Sequence, residues 1–558
     1  DVYKRQQQLR AEQLGYILDE TCEKGFDNYI AYREEIEHTH RYDFEELLWG
    51  EVREHLNCFE DNGYQICVER GKWLRNHSLF SKAEDHYRQM ITWFNDQRVD
   101  SEQALGFMLL RQGEVKESIE TFEASLVNCV GEHCVRADDF ERVAVIENNL
   151  GQAYRQAGRW DEAFEHYAAS FRAASIANNI PFMASVYTNR GYLYSLQGHY
   201  RVARRQCELA LNLLDSLPNK PPNVQRVIYA LMNLGTTYRH SGDYTKAAEY
   251  YKKSEKIAKN HNNREAMCSV LQNLGINDHL RGRTLRRSKD DLKIACGHQI
   301  QAWRYLTEAL AMAWDSGWHN ASADGLNRLA KVYREIEWLG QEIKNADAAE
   351  HIMEVLRSLE LEARQFQMPF EIEYENDWLI KKPFDELNWL EKSARLFEIS
   401  ALIAMHEVND FHRALDSSTE LGRLLIQLNR DEQVRLVIRR IERIKGYDYQ
   451  ETLFSAMNEI TKGDLDFRQG NYDMALDRYQ RAFADLAGQS GYASYLLTDR
   501  LRDLEWRLRE LSPEIALDWC DALEYTWGVR SIFNARPEML DLIEKIRVEI
   551  ISMKSARS

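Results

Sequence analysis

The sequence predicts an all-α, right-handed superhelical solenoid of stacked helical hairpins, because small and aromatic residues recur at fixed offsets in a chain poor in turn-forming residues. Its 558 residues include only 8 prolines and 27 glycines, which is few for a fold of many strands and turns. Hydrophobic residues make up 44% and charged residues 29%, as in folded domains rather than disordered ones. Long helices joined by short loops fit this composition.

The repeat unit begins with a glycine, and further small or aromatic residues follow 3, 7, 12, 16 and 19 positions later. Three consecutive copies carry the pattern: Gly151 with Tyr154, Gly158, Ala163, Tyr167 and Ser170; Gly191 with Tyr194, Gly198, Ala203, Cys207 and Ala210; and Gly235 with Tyr238, Gly242, Ala247, Tyr251 and Ser254. Weaker copies begin at Gly71, Gly106 and Gly463. The copy at Gly275 reaches its alanine, Ala302, about fifteen residues late, which predicts an insertion.

These residue types indicate how each copy folds. A glycine inside a helix lets a neighbouring helix come close, and the aromatic residue fills the space beside it. The second glycine ends the first helix in a left-handed conformation that a side chain would resist. Each copy is therefore expected to be a hairpin of two helices with an apolar face that it cannot bury alone, so successive hairpins must stack.

The segments Asn149–Tyr154 and Asn233–Tyr238, each followed by a glycine and an alanine, resemble tetratricopeptide repeats. First glycines lie 35 to 45 residues apart, which exceeds the usual 34. This spacing is similar to that of the longer repeats in kinesin light chains, in Leu-Gly-Asn adaptor proteins and in the repeat sensors of bacterial signal-transduction ATPases. The resemblance covers about 60–480 in patches, is strongest over 140–285, and implies a scaffold that binds proteins or peptides.

Four segments are expected along the chain. They are a helical linker or cap over 1–60, a repeat array over 61–340 with the insertion near 283–300, a divergent connecting segment over 341–390, and a helical repeat block with its cap over 391–558. The chain begins at Asp1 and not at methionine. We therefore expect a fragment of a longer protein.

The strongest candidate site is a series of asparagines, each two residues before a first glycine: Asn149, Asn189, Asn233 and Asn273. Two residues turn a helix by about 200°, which places each asparagine roughly opposite its packed glycine, facing an inner groove. The same groove is expected to hold Gln152, Arg155, Tyr192, Thr236, Arg239 and His279. An amide can pair with an extended peptide backbone of any sequence, and in related repeats such asparagines hold peptides. Alternatively, these asparagines bridge neighbouring helices.

A second candidate site lies in the insertion, where five cations occur within nine residues: Arg281, Arg283, Arg286, Arg287 and Lys289. In an acidic protein such a cluster can dock an acidic partner or a phosphate. The alternative is a solvated loop whose charges bind nothing.

Other classes of function are disfavoured. A net charge of −17 repels phosphate backbones and argues against general nucleic-acid binding. No apolar run approaches the ~18–20 residues that cross a bilayer. The nine scattered cysteines show no zinc-like ligand spacing and fit a reducing, cytoplasmic compartment. Without a Gly-Lys-Ser/Thr phosphate loop, His-Glu-x-x-His or Gly-x-Ser-x-Gly motif, we assign no catalytic residue, metal or cofactor.

The sequence therefore predicts a sensor or regulatory region of a larger signalling protein, which binds a protein or peptide in its concave groove. The resemblance to bacterial signal-transduction ATPases implies a linked nucleotide-binding domain. Two alternatives stay open: the non-catalytic regulatory half of a caspase-like protease, and a stand-alone adaptor.

Overall fold

The structure is a computed structural model that describes most of the chain. The described ranges contain 24 α-helices and no strand. These ranges are 2–39, 42–76, 79–112, 114–130, 137–217, 221–285, 289–316, 318–345, 379–408, 410–444, 448–487, 492–529 and 537–557, with five isolated residues between 354 and 361. Most of the expected connecting segment, including 362–378, lies outside them. The chain divides into two compact units, 1–105 and 106–558. The described part of the chain is thus all-α, and its second unit is a helical-repeat solenoid.

The first unit contains five helices and the start of a sixth: α1 (Val2–Glu20), α2 (Cys22–Thr39), α3 (Tyr42–Glu54), α4 (Gly63–Asn76), α5 (Phe80–Trp93) and α6 (Arg98–Gln112), with a 3-10 helix at Leu56–Asn62. Helices α1, α2 and α3 pack against one another. A buried ion pair joins α3 to α4, since Arg70 Nε donates to Glu45 Oε1 at 3.0 Å. A disulfide joins Cys22 to Cys58, which the cysteine spacing did not reveal.

The second unit contains helical hairpins in series. After α7 (Val115–Val130), the hairpins are α8 (Ala137–Gln156) with α9 (Trp160–Ile176), α10 (Ile180–Leu196) with α11 (Tyr200–Asp215), α12 (Pro221–His240) with α13 (Tyr244–Asn260), α14 (Arg264–Thr284) with α15 (Lys289–Asp315), α16 (His319–Asn345) with α17 (Trp389–Ile403), α18 (Phe411–Gln427) with α19 (Asp431–Arg443), and α20 (Asp448–Arg468) with α21 (Tyr472–Ala487). The last helices are α22 (Tyr492–Glu510), α23 (Pro513–Val529) and α24 (Pro537–Arg557). The first helices of successive hairpins also pack against one another, in the order α8, α10, α12, α14, α16, α18 and α20.

The recurring glycine and aromatic residues hold each hairpin together. A Cβ added at Gly151 would lie 2.6 Å from Tyr167 Cδ1, and one at Gly463 would lie 2.8 Å from Tyr479 Cε1. Both tyrosines are buried. The small residue three positions after the aromatic also makes a contact, since Ser170 Oγ donates to the carbonyl of Ala144 at 2.7 Å. The sequence pattern is therefore the packing pattern of the hairpins.

The turn between the helices of a hairpin depends on the second glycine. Gly158 and Gly242 have φ values of +76° and +82°, in the left-handed region that favours glycine. Gly282 differs, because α14 continues through it to Thr284 and a Cβ there would lie 2.6 Å from Gln299 Nε2. The insertion thus lengthens α14 and α15, and residues 286–288 between them lie outside the described ranges.

No helix in the described part of the chain is both long and apolar enough to cross a bilayer.

Candidate binding surface

The four predicted asparagines occupy the same register on four successive first helices. Asn149 lies on α8, Asn189 on α10, Asn233 on α12 and Asn273 on α14, and we call this set the amide row. Each of its side chains is partly exposed, whereas the glycine two residues later is buried. Helical geometry accounts for this, because two residues turn the chain to nearly the opposite side of the helix.

Two members of the amide row bridge neighbouring first helices. Asn189 Nδ2 donates to Asn148 Oδ1 on α8 at 2.8 Å. Asn273 Oδ1 accepts from Arg239 Nη1 on α12 at 3.2 Å, and its Nδ2 donates to the carbonyl of Ser269 at 2.9 Å. These two amides brace the stack of hairpins.

The other two members differ in their contacts. Within the described ranges, the side-chain amides of Asn149 and Asn233 have no hydrogen-bond partner in the protein, although both residues are partly exposed. Each of these amides therefore retains its donors and its acceptor for water or for a ligand.

Four of the other predicted residues also lie partly exposed near the row. The Arg155 guanidinium sits 4.8 Å above the Tyr192 ring, which links α8 to α10 through a cation–π contact. Gln152 lies one helical turn from Asn149 and is partly exposed. Arg239 lies 5.9 Å from the centre of the Tyr251 ring in addition to its bond with Asn273. The exposed surface thus combines amides, two anchored guanidinium groups and one aromatic ring.

Thr236 and His279 are buried and hold hairpins together. Thr236 Oγ1 lies 3.0 Å from the Tyr251 hydroxyl, and His279 Nδ1 lies 3.0 Å from Gln299 Oε1. Burial lowers the pKa of His279 well below its ordinary value, so the ring is neutral near pH 7. Gln299 belongs to the lengthened α15, which has no counterpart in the other copies, so the burial of His279 was not visible in the repeat pattern.

The five predicted cations do not form one exposed loop in the described ranges. Arg281 is a partly exposed residue of α14, whereas Arg283 is buried, with its Nε 3.8 Å from Glu335 Oε2 on α16. Arg286 and Arg287 lie outside the described residues, and nothing is described of the Lys289 side chain. Arg283 therefore contributes to packing between first helices.

The sequence reasoning missed Asn148, the partner of Asn189. The sequence did contain a signal for this contact, because two asparagines follow one another at 148 and 149. Asn148 faces the neighbouring helix, and Asn149 faces solvent. Among the described residues, no group of three or more His, Cys, Asp or Glu side chains is placed to hold a metal ion.

Comparison with known proteins identifies tetratricopeptide repeats in two stretches of the chain, residues 142–216 and residues 228–261. No curated protein sequence matches the chain significantly. Both matched family models describe repeats and not enzymes.

Several solved structures match the chain at low sequence identity. BtubC (BKLC) from P. vanneervenii is 20% identical, with 46% of this chain and 92% of that chain covered, at a TM-score of 0.31. A Rap protein complexed with Competence and Sporulation Factor is 9% identical over 82% and 99% of the two chains, at 0.40. A human IFIT1 dimer with m7Gppp-AAAA is 14% identical over 84% and 94%, at 0.34.

Proposed function

We propose that this chain is a non-catalytic scaffold whose amide row binds an extended polypeptide. The observation that supports it best is the pair of partly exposed amides, Asn149 and Asn233, which have no protein partner in the described ranges and share one register. A carboxamide pairs with both the N–H and the C=O of a ligand backbone. Such pairing is independent of ligand sequence, as a general peptide scaffold requires.

The spacing of these two amides suits a short peptide. Asn149 and Asn233 lie on first helices separated by one intervening first helix. Packed helices lie about 8–10 Å apart, so the two amides are separated by roughly 18 Å. An extended chain rises about 3.3 Å per residue, and five or six residues would span that distance. Gln152 lies one helical turn from Asn149, and Arg155 contacts Tyr192 on the intervening first helix α10.

We also propose that the chain is the sensor or regulatory region of a larger cytoplasmic signalling protein, with a linked nucleotide-binding domain. The alternatives are the regulatory half of a caspase-like protease and a stand-alone adaptor. Coding sequence on either side of the chain distinguishes them: a nucleotide-binding domain before Asp1, a Cys-His protease after Ser558, or neither. One observation weighs against the cytoplasmic placement, because a disulfide joins Cys22 to Cys58 and disulfides are rare in cytosolic proteins.

Peptide binding is testable with a library of random 12-residue peptides displayed on phage and selected on the immobilised chain. We expect enriched peptides to bind the Asn149→Ala, Asn233→Ala double variant at least about fivefold more weakly, since each lost hydrogen bond contributes about 0.5–1.5 kcal/mol. Fluorescence anisotropy with a labelled, enriched peptide measures this difference. The free energy of unfolding should stay within about 0.5 kcal/mol of the wild-type value, because these amides have no described partner in the protein.

The matched control is Asn189→Ala, which removes the bond to Asn148 and should lower the free energy of unfolding by about 1 kcal/mol. The proposal fails if selection enriches no peptide, or if the double variant binds as tightly as the wild type. It also fails if the double variant is destabilised as much as Asn189→Ala, because the exposed amides would then be structural.

A further inference from the structure

The neighbouring second helices α11 and α13 are basic in an otherwise acidic chain. Together they carry eight lysines and arginines and four aspartates and glutamates, whereas the whole chain has a net charge of −17. The flanking second helices are acidic, since α9 has one cation and three carboxylates and α15 has three cations and four carboxylates. Helices α11 and α13 are therefore more basic than the second helices on either side of them.

The cations of α13 form a stripe on its solvent-facing side. Lys252, Lys256 and Lys259 are exposed at intervals of four and three residues, which places them on one face of the helix. The opposite face is buried through residues such as Tyr251 and Ala258. Within the described ranges, none of these three lysines forms an ion pair.

Helix α11 adds two exposed arginines. Arg201 and Arg205 are exposed one turn apart. Arg205 Nη1 lies 4.0 Å from Glu208 Oε2 on the same helix. Val202 is an apolar side chain that is 43% exposed, so α11 offers an apolar contact beside its cations. We call Arg201, Arg205, Lys252, Lys256 and Lys259 the basic outer surface.

A stack of tyrosines links the two helices. The rings of Tyr238 on α12 and Tyr250 on α13 are nearly parallel, at 7°, with centroids 5.4 Å apart. The Arg204 guanidinium lies 5.1 Å from the Tyr238 ring and Lys253 Nζ lies 4.8 Å from the Tyr250 ring. The ring faces are therefore already in contact with each other and with cations. These two tyrosines therefore offer no open ring face on which a nucleic-acid base could stack.

We infer that the basic outer surface docks an acidic segment of another protein. Charge complementarity supports this occupant, because five exposed cations on two adjacent hairpins attract a run of carboxylates. A helix with glutamates at intervals of four and three residues would match the lysine stripe of α13. The surface lies on second helices and the amide row lies on first helices, so this interaction is independent of peptide binding by the row.

The test uses the full chain and a fluorescein-labelled 15-residue peptide of alanine and glutamate, with glutamates at those helical intervals. Lys252→Glu, Lys256→Glu and Lys259→Glu together should weaken binding at least about tenfold at low salt, because attraction at three points becomes repulsion. Wild-type binding should weaken as salt rises. The matched control reverses three exposed arginines of α19, Arg435→Glu, Arg439→Glu and Arg443→Glu, and should change the affinity less than about twofold.

Two further reagents make the result decisive. A second variant, Arg201→Glu with Arg205→Glu, reports on α11 if the α13 variant does not fold, and should also weaken binding. The same peptide with glutamine for glutamate should not bind. The inference is overturned if the α19 control weakens binding as much as the α13 variant, or if the glutamine peptide binds equally well. It is also overturned if labelled 15-nucleotide single-stranded DNA binds more tightly than the acidic peptide and loses binding in the α13 variant.

Discussion

Replacing Glu420 by glutamine is expected to lower the free energy of unfolding by about 3–5 kcal/mol, the usual cost of breaking a buried ion pair. Glu420 is buried on α18 and pairs with Arg334 of α16. Its Oε2 lies 3.6 Å from Arg423 Nη1, and its Oε1 lies 3.4 Å from Arg500 Nη2. All three arginines are buried. Removing the carboxylate would leave these cations with too little negative charge in a region shielded from water.

The pH dependence of stability should report the same carboxylate. Burial raises the pKa of Glu420, but Arg334, Arg500 and Arg423 outweigh it and lower the pKa to about 2. Because this folded-state pKa lies below the ordinary value of 4.5, the stabilisation is present above pH 4.5 and is lost as the pH falls towards 2. Urea unfolding followed by circular dichroism should therefore show that the difference in the free energy of unfolding between the wild type and Glu420→Gln becomes smaller below pH 4.5.

The matched control for this variant is Glu432→Gln, whose side chain is 87% exposed and pairs with Arg435 at 3.8 Å. This change should alter the free energy of unfolding by no more than about 0.5 kcal/mol. Equal stability of the two variants at pH 7 would show that the ion cluster around Glu420 does not support the fold.

Replacing Gly235 by alanine is expected to destabilise the protein, although alanine is the better helix former. The added Cβ would lie 2.8 Å from Tyr251 Cε1, and the Tyr251 ring is fully buried. The Tyr251 hydroxyl also contacts Thr236 at 3.0 Å, which limits movement of the ring. Overpacking of this kind costs about 1–3 kcal/mol, more than the gain of about 0.5–1 kcal/mol from helix propensity. The urea unfolding midpoint should fall.

Gly297 provides a control, because alanine at this position should stabilise the protein instead of destabilising it. It lies within α15, and a Cβ added there would meet no atom within 4 Å. Gly297→Ala should therefore raise the unfolding midpoint through helix propensity alone, by about 0.5–1 kcal/mol. If both alanine variants moved the midpoint in the same direction, the glycine–aromatic contact would not be what requires a glycine at position 235.

Most of the hairpin packing could be predicted because it is local and repeated. Gly151 and Tyr167 lie sixteen residues apart in one hairpin, and the same spacing recurs in other copies. Helix lengths around the insertion could not be predicted, since no second copy shows how α14 and α15 extend. The cluster at Glu420 was also invisible, because its partners Arg334 and Arg500 lie 86 and 80 residues away.

The sequence predicted which helix faces the residues of the candidate site occupy, but not which hydrogen bonds their side chains form. Helical periodicity placed Asn149 and Asn189 on equivalent faces of α8 and α10. Whether each amide is already bonded depends on a neighbouring residue that the repeat pattern does not specify, such as Asn148 for Asn189. Periodicity likewise did not show that Arg283 would pack against Glu335, because Glu335 belongs to the next first helix.

The most direct test of peptide binding by the amide row is photo-crosslinking with a phage-selected peptide. A benzoylphenylalanine at position 152, next to Asn149 on α8, should cross-link to the bound peptide. The same group in place of the exposed Arg172, on the second helix α9, should not. Cross-linking at 172 without cross-linking at 152, measured by mass spectrometry of the adduct, would contradict binding along the amide row.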